Sequence, residues 1–547
     1  MTSLRNNRSA IDSETTTKLN KNNNNGNAEE DDHLTTKKTA VLQSMTSDLT
    51  LSERSSGAGS PTPSSSSLEE PEQRPPVVIV SGGPLLFGLE DEQKKTDDAS
   101  SSWSLSKAEE TASLVSTPVA GNLTSSSSSS SSSSIDYRVK PWCGTKFYSD
   151  LVKEGLTWLQ KTSTTTNNID NVLMVYESPA NETEGTSFVN KNKYFFHDPA
   201  DLPYPRTVLG PLRYATMSGN SLPVYLKDEA PVGLIEHWTN SIPNFVAPTF
   251  VPRVKETDHI YAYLPLEQVK HHVHDPQVHY HLAGKDVIPL MTNKTTKLLP
   301  DTQTVRPCVA KVNCSMGSRG IFIIRNDQDE QELHDFLKET GNPAYIVTEF
   351  VEIRRNIACH FFVHPNGEII WLGSSENVGL PDSTWSGDST MDLTKADELQ
   401  ALQMAQARDV ADYCLSLGFW GFCGIDVLMD SNGHGHVVDV NPRVTGTCPA
   451  IMTAKSMRET FPRFDYGLFR RSSSHAYPGS EAELLAEVEA HNTNNQGKSR
   501  VVIFSMKELG PKQTLLNIGV YGVSLEECEK HLNHFSRVFK QNRVTYM

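Results

Sequence analysis

An Asn-Gly pair, Asn432-Gly433, inside the run Gly424 to Arg443 constrains this chain more than any other feature. Asn-Gly is the favoured two-residue type I′ turn between antiparallel strands. With that pair at the tip, Ser431 faces His434, Asp430 faces Gly435, Val427 faces Val438 and Asp426 faces Asp439. Strand alternation then places Asn441 on the face of Asp439, and Ile425, Val427, Val438 and Val440 on the core side. Two carboxylates directly opposite each other destabilise a bare sheet. A divalent cation reverses that sign, and two carboxylates with an amide oxygen are hard ligands suited to Mg²⁺ or Mn²⁺, so Asp426, Asp439 and Asn441 form a candidate metal set. The alternative is a pair of solvated acids on an exposed hairpin face. Arg443, at the strand exit, offers a planar, always-charged fork to a carboxylate or phosphate beside the metal.

A second element precedes it. Val309 to Gly320 sets Lys311 on a short apolar strand, Cys308 to Val312, followed by the small-residue loop Asn313 to Arg319. Such a loop presents backbone N–H groups and an ammonium to a polyphosphate, although it also reads as an ordinary hairpin tip. It enters the strand Gly320 to Ile324 and not a helix through Gly-Lys-Ser/Thr, which disfavours a Walker-type fold.

The rest of the chain divides by composition. Residues 1–135 hold no cysteine and include ten consecutive serines, Ser125 to Ser134. A stretch so poor in apolar residues cannot offset roughly 1–2 kcal/mol of backbone entropy per residue, and it is expected to be disordered. A small α/β domain is expected over 136–274, a central domain over 275–455 and an α/β extension over 456–547. Asp275-Pro276 predicts an N-cap and first turn for a helix reaching about Met291. Helices are also predicted over Asp329 to Thr340 and Thr394 to Leu417, the second with Thr394 and Asp397 near capping-box spacing. Strands are predicted over Val172 to Glu177, Tyr345 to Val351, Ile357 to Val363, Glu368 to Gly373, Val501 to Ser505 and Leu516 to Tyr521, and a polar linker over His491 to Lys498. The net charge is −16, so the basic footprint of a nucleic-acid protein is absent. The eight cysteines form no CxxC pair and read as small core residues in a reducing compartment. With no apolar run of membrane-spanning length, and with Asp12 and Glu14 arguing against a transit peptide, the expected location is cytoplasmic.

Taken in order, Lys311, the loop Ser315 to Gly320, the segment Thr348-Glu-Phe-Val351 and Asp439-Val-Asn-Pro-Arg443 resemble the ATP-grasp superfamily, over roughly Asp275 to Ala450. The resemblance implies an α/β (α+β) ATP-grasp fold with ATP between two subdomains, and catalysis by positioning and charge neutralisation with no covalent bond to the protein. It implies that Ser315, Gly317, Ser318 and Gly320 cover the phosphates, and that Glu349, Phe350 and Val351 form the adenine hinge. Glu352 would take the ribose, although the family acid usually falls a few residues later, where this chain has Arg354, Arg355 and Asn356. Lys285 would be a second phosphate lysine, with Lys294 as substitute or a plain surface lysine as alternative. Asp426, Asp439 and Asn441 would hold two Mg²⁺ or Mn²⁺ ions, and Lys311 and Arg443 would serve catalysis by offsetting charge on the transferring group.

Asn441 to Thr447 is similar to the amino-acid and peptide ligases of that superfamily, which implies small-molecule carboxylate and amine partners, no nucleic acid and no membrane. The resemblance leaves the oligomeric state open. Ile370 to Asp388 is the expected substrate loop. The tract His271 to His281 is expected not to bind metal. Two other readings are a biotin-carboxylase-like component, for which Ser505-Met-Lys507 lacks the biotinyl flanks, and a non-catalytic ATP-binding regulatory protein.

Overall fold

The computed structural model describes residues 138–162, 169, 171–177, 206–266, 269–315, 320–341, 343–379, 385–510 and 512–538. The expected disordered segment 1–135 lies outside them.

Four short strands, each an apolar run, form a parallel sheet in the order Phe250–Val251, Val224–Tyr225, Val172–Val175, His259–Ala262. Helices Tyr148–Thr162, Arg206–Ala215 and Leu234–Ser241 belong to the same region. A second sheet, antiparallel, runs Leu298–Leu299, Tyr345–Glu349, Cys308–Val312, Ile321–Ile324. On its central strand Cys308, Ala310 and Val312 pack with Leu333 and Leu337 of helix Asp327–Glu339, so alternation turns Val309 and Lys311 to the other face.

The third and largest sheet runs Gly435–Asn441, Gly421–Met429, Arg355–Val363, Ile369–Gly379, Trp385–Asp392, Tyr466–Tyr477, Gln513–Gly522, Ser499–Gly510. Ile357, Cys359, Ile425 and Val427 on one face pack with Ala407, Val410 and Cys414 of helix Ala396–Ser416. The opposite face looks toward the second sheet across a cleft. Among the described residues no helix is long and apolar enough to cross a membrane. All eight cysteines are free thiols, and all but Cys143 are buried.

The acidic hairpin corrects the sequence reading in an instructive way. Its tip is not a two-residue turn. Gly433 N–H donates to Asp430 O at 3.1 Å and Asp430 N–H to His434 O at 3.0 Å, with Gly433 at φ 81°. This is a three-residue loop ending in a left-handed glycine. The Asp430 carboxylate selects it by accepting from Asn432 N–H at 2.9 Å and His434 N–H at 2.8 Å. Met429 therefore faces Gly435 and Val427 faces Val437, one residue out from the expected register. A bulge at Val438 restores it, and Asp426 faces Asp439 after all. Val438, expected in the core, lines the cleft instead, and Val437 is the buried residue.

Other departures have equally local causes. The helix expected from Pro276 to about Met291 is capped by Asp275, whose side chain accepts from Gln277 N–H, but it stops at Leu282. Extended Gly284 breaks it, and Asn313 stabilises the break by accepting from Lys285 N–H and Asp286 N–H. Asp392, and not Thr394 with Asp397, caps the turn that leads into the long helix. His491 lies within helix Glu481–Asn494 and not in a linker, because Ser480 and Glu483 form a capping box that starts that helix. Ile370 to Asp388 is no open loop: apart from 380–384, outside the described residues, it forms two sheet strands. Several of its polar residues are paired, as in Ser374 with Gln403 and Asn377 with Asn356.

Candidate active site

The cleft between the antiparallel sheet and the largest sheet has a volume of about 250 Å³. One part of its wall is apolar, built by Val309, Ile321, Ile323, Val351, Leu428 and Val438. Glu349, Phe350 and Val351 lie at this wall, on the segment that joins the two sheets. The Glu349 side chain accepts from Lys297 N–H at 2.9 Å, which ties that segment to the strand beginning at Leu298. The Thr348 hydroxyl is buried with no protein partner among the described residues.

The other part is charged. Lys285 and Lys311 are both buried lysines lining the cleft. Lys285 Nζ donates to Ser315 O at 3.1 Å and lies 3.4 Å from Asp439 Oδ1. Burial pushes the Lys311 ammonium down to about 8, helped by the Lys285 charge and opposed by Asp439. Asp426 is pushed up to about 7, first by withdrawal from water and then by the facing Asp439 carboxylate. Asn377 Nδ2 donates to Asp426 Oδ1 at 3.2 Å, and Asn441 Nδ2 approaches Asp439 Oδ2 at 3.4 Å. Two facing carboxylates with a carboxamide fit a divalent oxygen-ligated cation, whose charge would remove the repulsion that raises Asp426.

Arg443 lines the same cleft, its guanidinium 5.1 Å from the centre of the Tyr263 ring. The turn that aims it is held from behind by His279, whose Nε2 lies 2.8 Å from Pro442 O. That contact, with His274 packed on Phe419, gives the histidine tract a structural role.

Of the residues singled out in the sequence, Lys285, Lys311, Ser315, Glu349, Phe350, Val351, Asp426, Asp439, Asn441 and Arg443 come together here. Glu352 does not line the cleft; it is exposed, on the stretch between strands Tyr345–Glu349 and Arg355–Val363. Lys294 is exposed too, its carbonyl accepting from Val437 N–H. Gly320 is not on the wall but turns the chain at φ 69°, while Gly317 and Ser318 lie outside the described residues. The cleft also contains Asn377, from the expected substrate segment, Thr445, from the run Asn441 to Thr447, and Arg213, Tyr214, Tyr263 and His360, which were not anticipated. Arg213 Nη2 donates to the Tyr214 hydroxyl at 2.9 Å, and the Tyr214 and Tyr263 rings lie 5.2 Å apart. These aromatic residues carry no spacing signal, because they reach the cleft from the parallel-sheet region.

Residues 293–441 match the model of a family described as "L-aspartate--L-methionine ligase, ATP grasp". Among solved structures the chain is similar to N5-carboxyaminoimidazole synthetase from Staphylococcus aureus complexed with ADP, at 12% identity and a TM-score of 0.40, over 66% of this chain and 95% of that one. It is similar to N5-carboxyaminoimidazole ribonucleotide synthetase from Thermotoga maritima at 14% identity and a TM-score of 0.40, over 68% and 99% of the two chains. The biotin carboxylase domain of the Hydrogenobacter thermophilus 2-oxoglutarate carboxylase matches at 14% identity and a TM-score of 0.35, over 51% and 69%.

Proposed function

Starting from an ATP-grasp ligase domain at residues 293–441, we propose that this protein uses ATP to activate a carboxylate as an acylphosphate and joins it to an amine, with amino acids as both partners. The carrying observation is the register of Asp426 against Asp439, with two buried lysines beside them and a hinge segment at the apolar wall. The adenine would lie against that wall, bounded by Glu349 and Val351. Asp426, Asp439 and the Asn441 side chain would hold Mg²⁺, which when bound neutralises phosphate charge. Lys285 and Lys311 bring positive charge to the phosphates, and Arg443 offers two parallel N–H groups to the carboxylate.

The γ-phosphoryl group passes to a carboxylate oxygen and ADP leaves. The amine nitrogen then attacks the acyl carbon, phosphate departs with the C–O electron pair, and the surplus amine proton goes to solvent. The protein forms no covalent bond; positioning and charge supply the catalysis.

Because the matching family is described by L-aspartate and L-methionine, these are the substrates to assay first. Purified protein with Mg-ATP should release ADP and phosphate only when both a carboxylate and an amine are present, with a conjugate detected by mass spectrometry. Failure of every amino acid and small carboxylic acid to stimulate phosphate release would overturn the proposal.

A further inference from the structure

His360 lies on the cleft face of strand Arg355–Val363, in one cross-strand row with Gly424 and Asn441. The neighbouring row is Ala358, Asp426 and Asp439. His360 is five positions past Arg355, which puts it about 16 Å along the strand from the end nearer the hinge segment. It belongs to the Asn441 and Arg443 side of the cleft, not to the side that would take a base.

The ring is 3% exposed, and Nε2 has no protein partner among the described residues. Nδ1 lies 2.6 Å from the Thr445 hydroxyl. That contact is built into the sheet: a Cβ on Gly424 would fall 2.4 Å from Thr445 Cγ2 and 3.3 Å from His360 Nδ1, so only glycine lets threonine reach the ring.

Burial holds the imidazole neutral, with its pKa pushed down to about 3. A neutral ring carries one N–H, and the partner of the other nitrogen decides which. If Nδ1–H donated to Thr445, the Nε2 lone pair would be buried without a partner and the half-buried threonine proton would lose the ring as its acceptor. If Thr445 donates to Nδ1, one group is left over, an Nε2–H on a ring that lines the cleft, which an acceptor brought by a bound molecule would satisfy.

We infer that His360 is a substrate-contacting residue whose Nε2–H donates to an oxygen of the carboxylate being activated, with Thr445 fixing the tautomer. This rests on the ligase reading of the cleft. His360 acts as a donor and not as a base toward the amine.

Glutamine places an amide N–H near the position of Nε2, whereas leucine places nothing there, so the two variants separate donation from shape. With L-aspartate and L-methionine as probes, His360→Leu should raise the KM for L-aspartate at least tenfold while Mg-ATP affinity, by calorimetry, stays within twofold. His360→Gln should remain within about threefold of wild type, since a hydrogen bond to a charged group survives the exchange of one neutral donor for another. An unchanged KM in His360→Leu overturns the inference, as does a His360→Gln variant impaired as badly as His360→Leu, which would point to the ring lone pair.

Nitrogen NMR of histidine-labelled protein tests the same point without turnover. The resonances missing from His360→Gln should show protonated Nε2 and unprotonated Nδ1 in wild type, and the reverse in the Thr445→Val protein would fit a tautomer no longer held. Protonated Nδ1 in wild type refutes the assignment. If wild type shows no carboxylate-dependent turnover, the ligase reading fails by itself, and the tautomer result still decides what His360 presents to the cleft.

Discussion

At the scale of single residues, the cleft holds opposed charges that the fold alone does not reconcile. Asp426 and Asp439 face each other while Lys285 reaches only Asp439 by a direct ion pair. Since Asp426 titrates near 7 in the fold against an ordinary carboxyl below 4, the folded state binds more protons than the unfolded one in that interval. Its contribution to stability therefore falls as pH rises through the interval. Asp426→Asn should raise the melting temperature of the metal-free protein by about 1–3 °C at pH 8 and by less at pH 4. It should also abolish the stabilisation that Mg-ATP gives wild type. A shift of the same size at both pH values would contradict the repulsion. Lys311→Ala and Asp439→Ala should each lower phosphate release by at least about 100-fold, the scale of losing one group that stabilises developing charge. Circular dichroism should show both variants folded, and near-wild-type turnover in either would remove that residue from the mechanism.

At the scale of elements, the hairpin shows two departures from the simplest strand geometry cancelling. The three-residue loop shifts the pairing by one, and the bulge at Val438 shifts it back. The side chain displaced by this correction is Val438, which turns from the core to the apolar wall of the cleft. Val438→Ser should consequently cost less than about 1 kcal/mol of stability, against the roughly 2–3 kcal/mol expected of a fully buried valine. Mg-ATP should bind several-fold more weakly. Urea unfolding and calorimetry on the same variant measure both quantities, and a large stability loss with unchanged nucleotide affinity would return Val438 to the core. The polar strands Ile369–Gly379 and Trp385–Asp392 teach a related lesson. Their serines and asparagines resemble loop sequence until their partners are known, and Asn377 is bonded to both Asn356 and Asp426.

At the scale of the molecule, the strands nearest the C-terminus continue the sheet that carries the acids. Gln513–Gly522 pairs with Tyr466–Tyr477, and Ser499–Gly510 completes the edge. Helix Leu234–Ser241 is fastened to that edge strand: Trp238 Nε1–H donates to Ile503 O at 2.8 Å and Ile503 N–H donates to His237 Nε2 at 2.9 Å. Deleting residues 479–547 would remove Val501, Ile503, Ile518 and Val520, all fully buried, and uncover Trp238 and Phe469, which pack in the same core. The truncated chain should lose its cooperative thermal transition and elute as aggregate in size-exclusion chromatography. Acid should act on the whole molecule through buried histidines. Burial holds His237, His274 and His360 down to about 3, so the unfolded state binds more protons between their ordinary pKa near 6.5 and that value. Stability should fall as pH is lowered through this window, and the wild-type urea midpoint at pH 4 should lie below that at pH 7. The opposite order would mean that Asp426 outweighs the histidines.

The sequence by itself pointed to the acidic pair, the strand lysine and Arg443 through consecutive residues, and to the hinge segment only through its resemblance to a family. It did not determine the turn type, since Asp430 competes for backbone N–H groups that an isolated Asn-Gly pair leaves to the strands. Nor did it reveal His360, Arg213 or Tyr263, or that Thr445 meets His360. His360 reads as one more residue of an apolar run, and the small gap over Gly424 that admits Thr445 exists only once three strands lie side by side. Arg213 reaches the cleft from helix Arg206–Ala215 and Tyr263 from the end of strand His259–Ala262. Those contacts belong to tertiary structure because they depend on distances between segments far apart in the chain, which no local periodicity encodes.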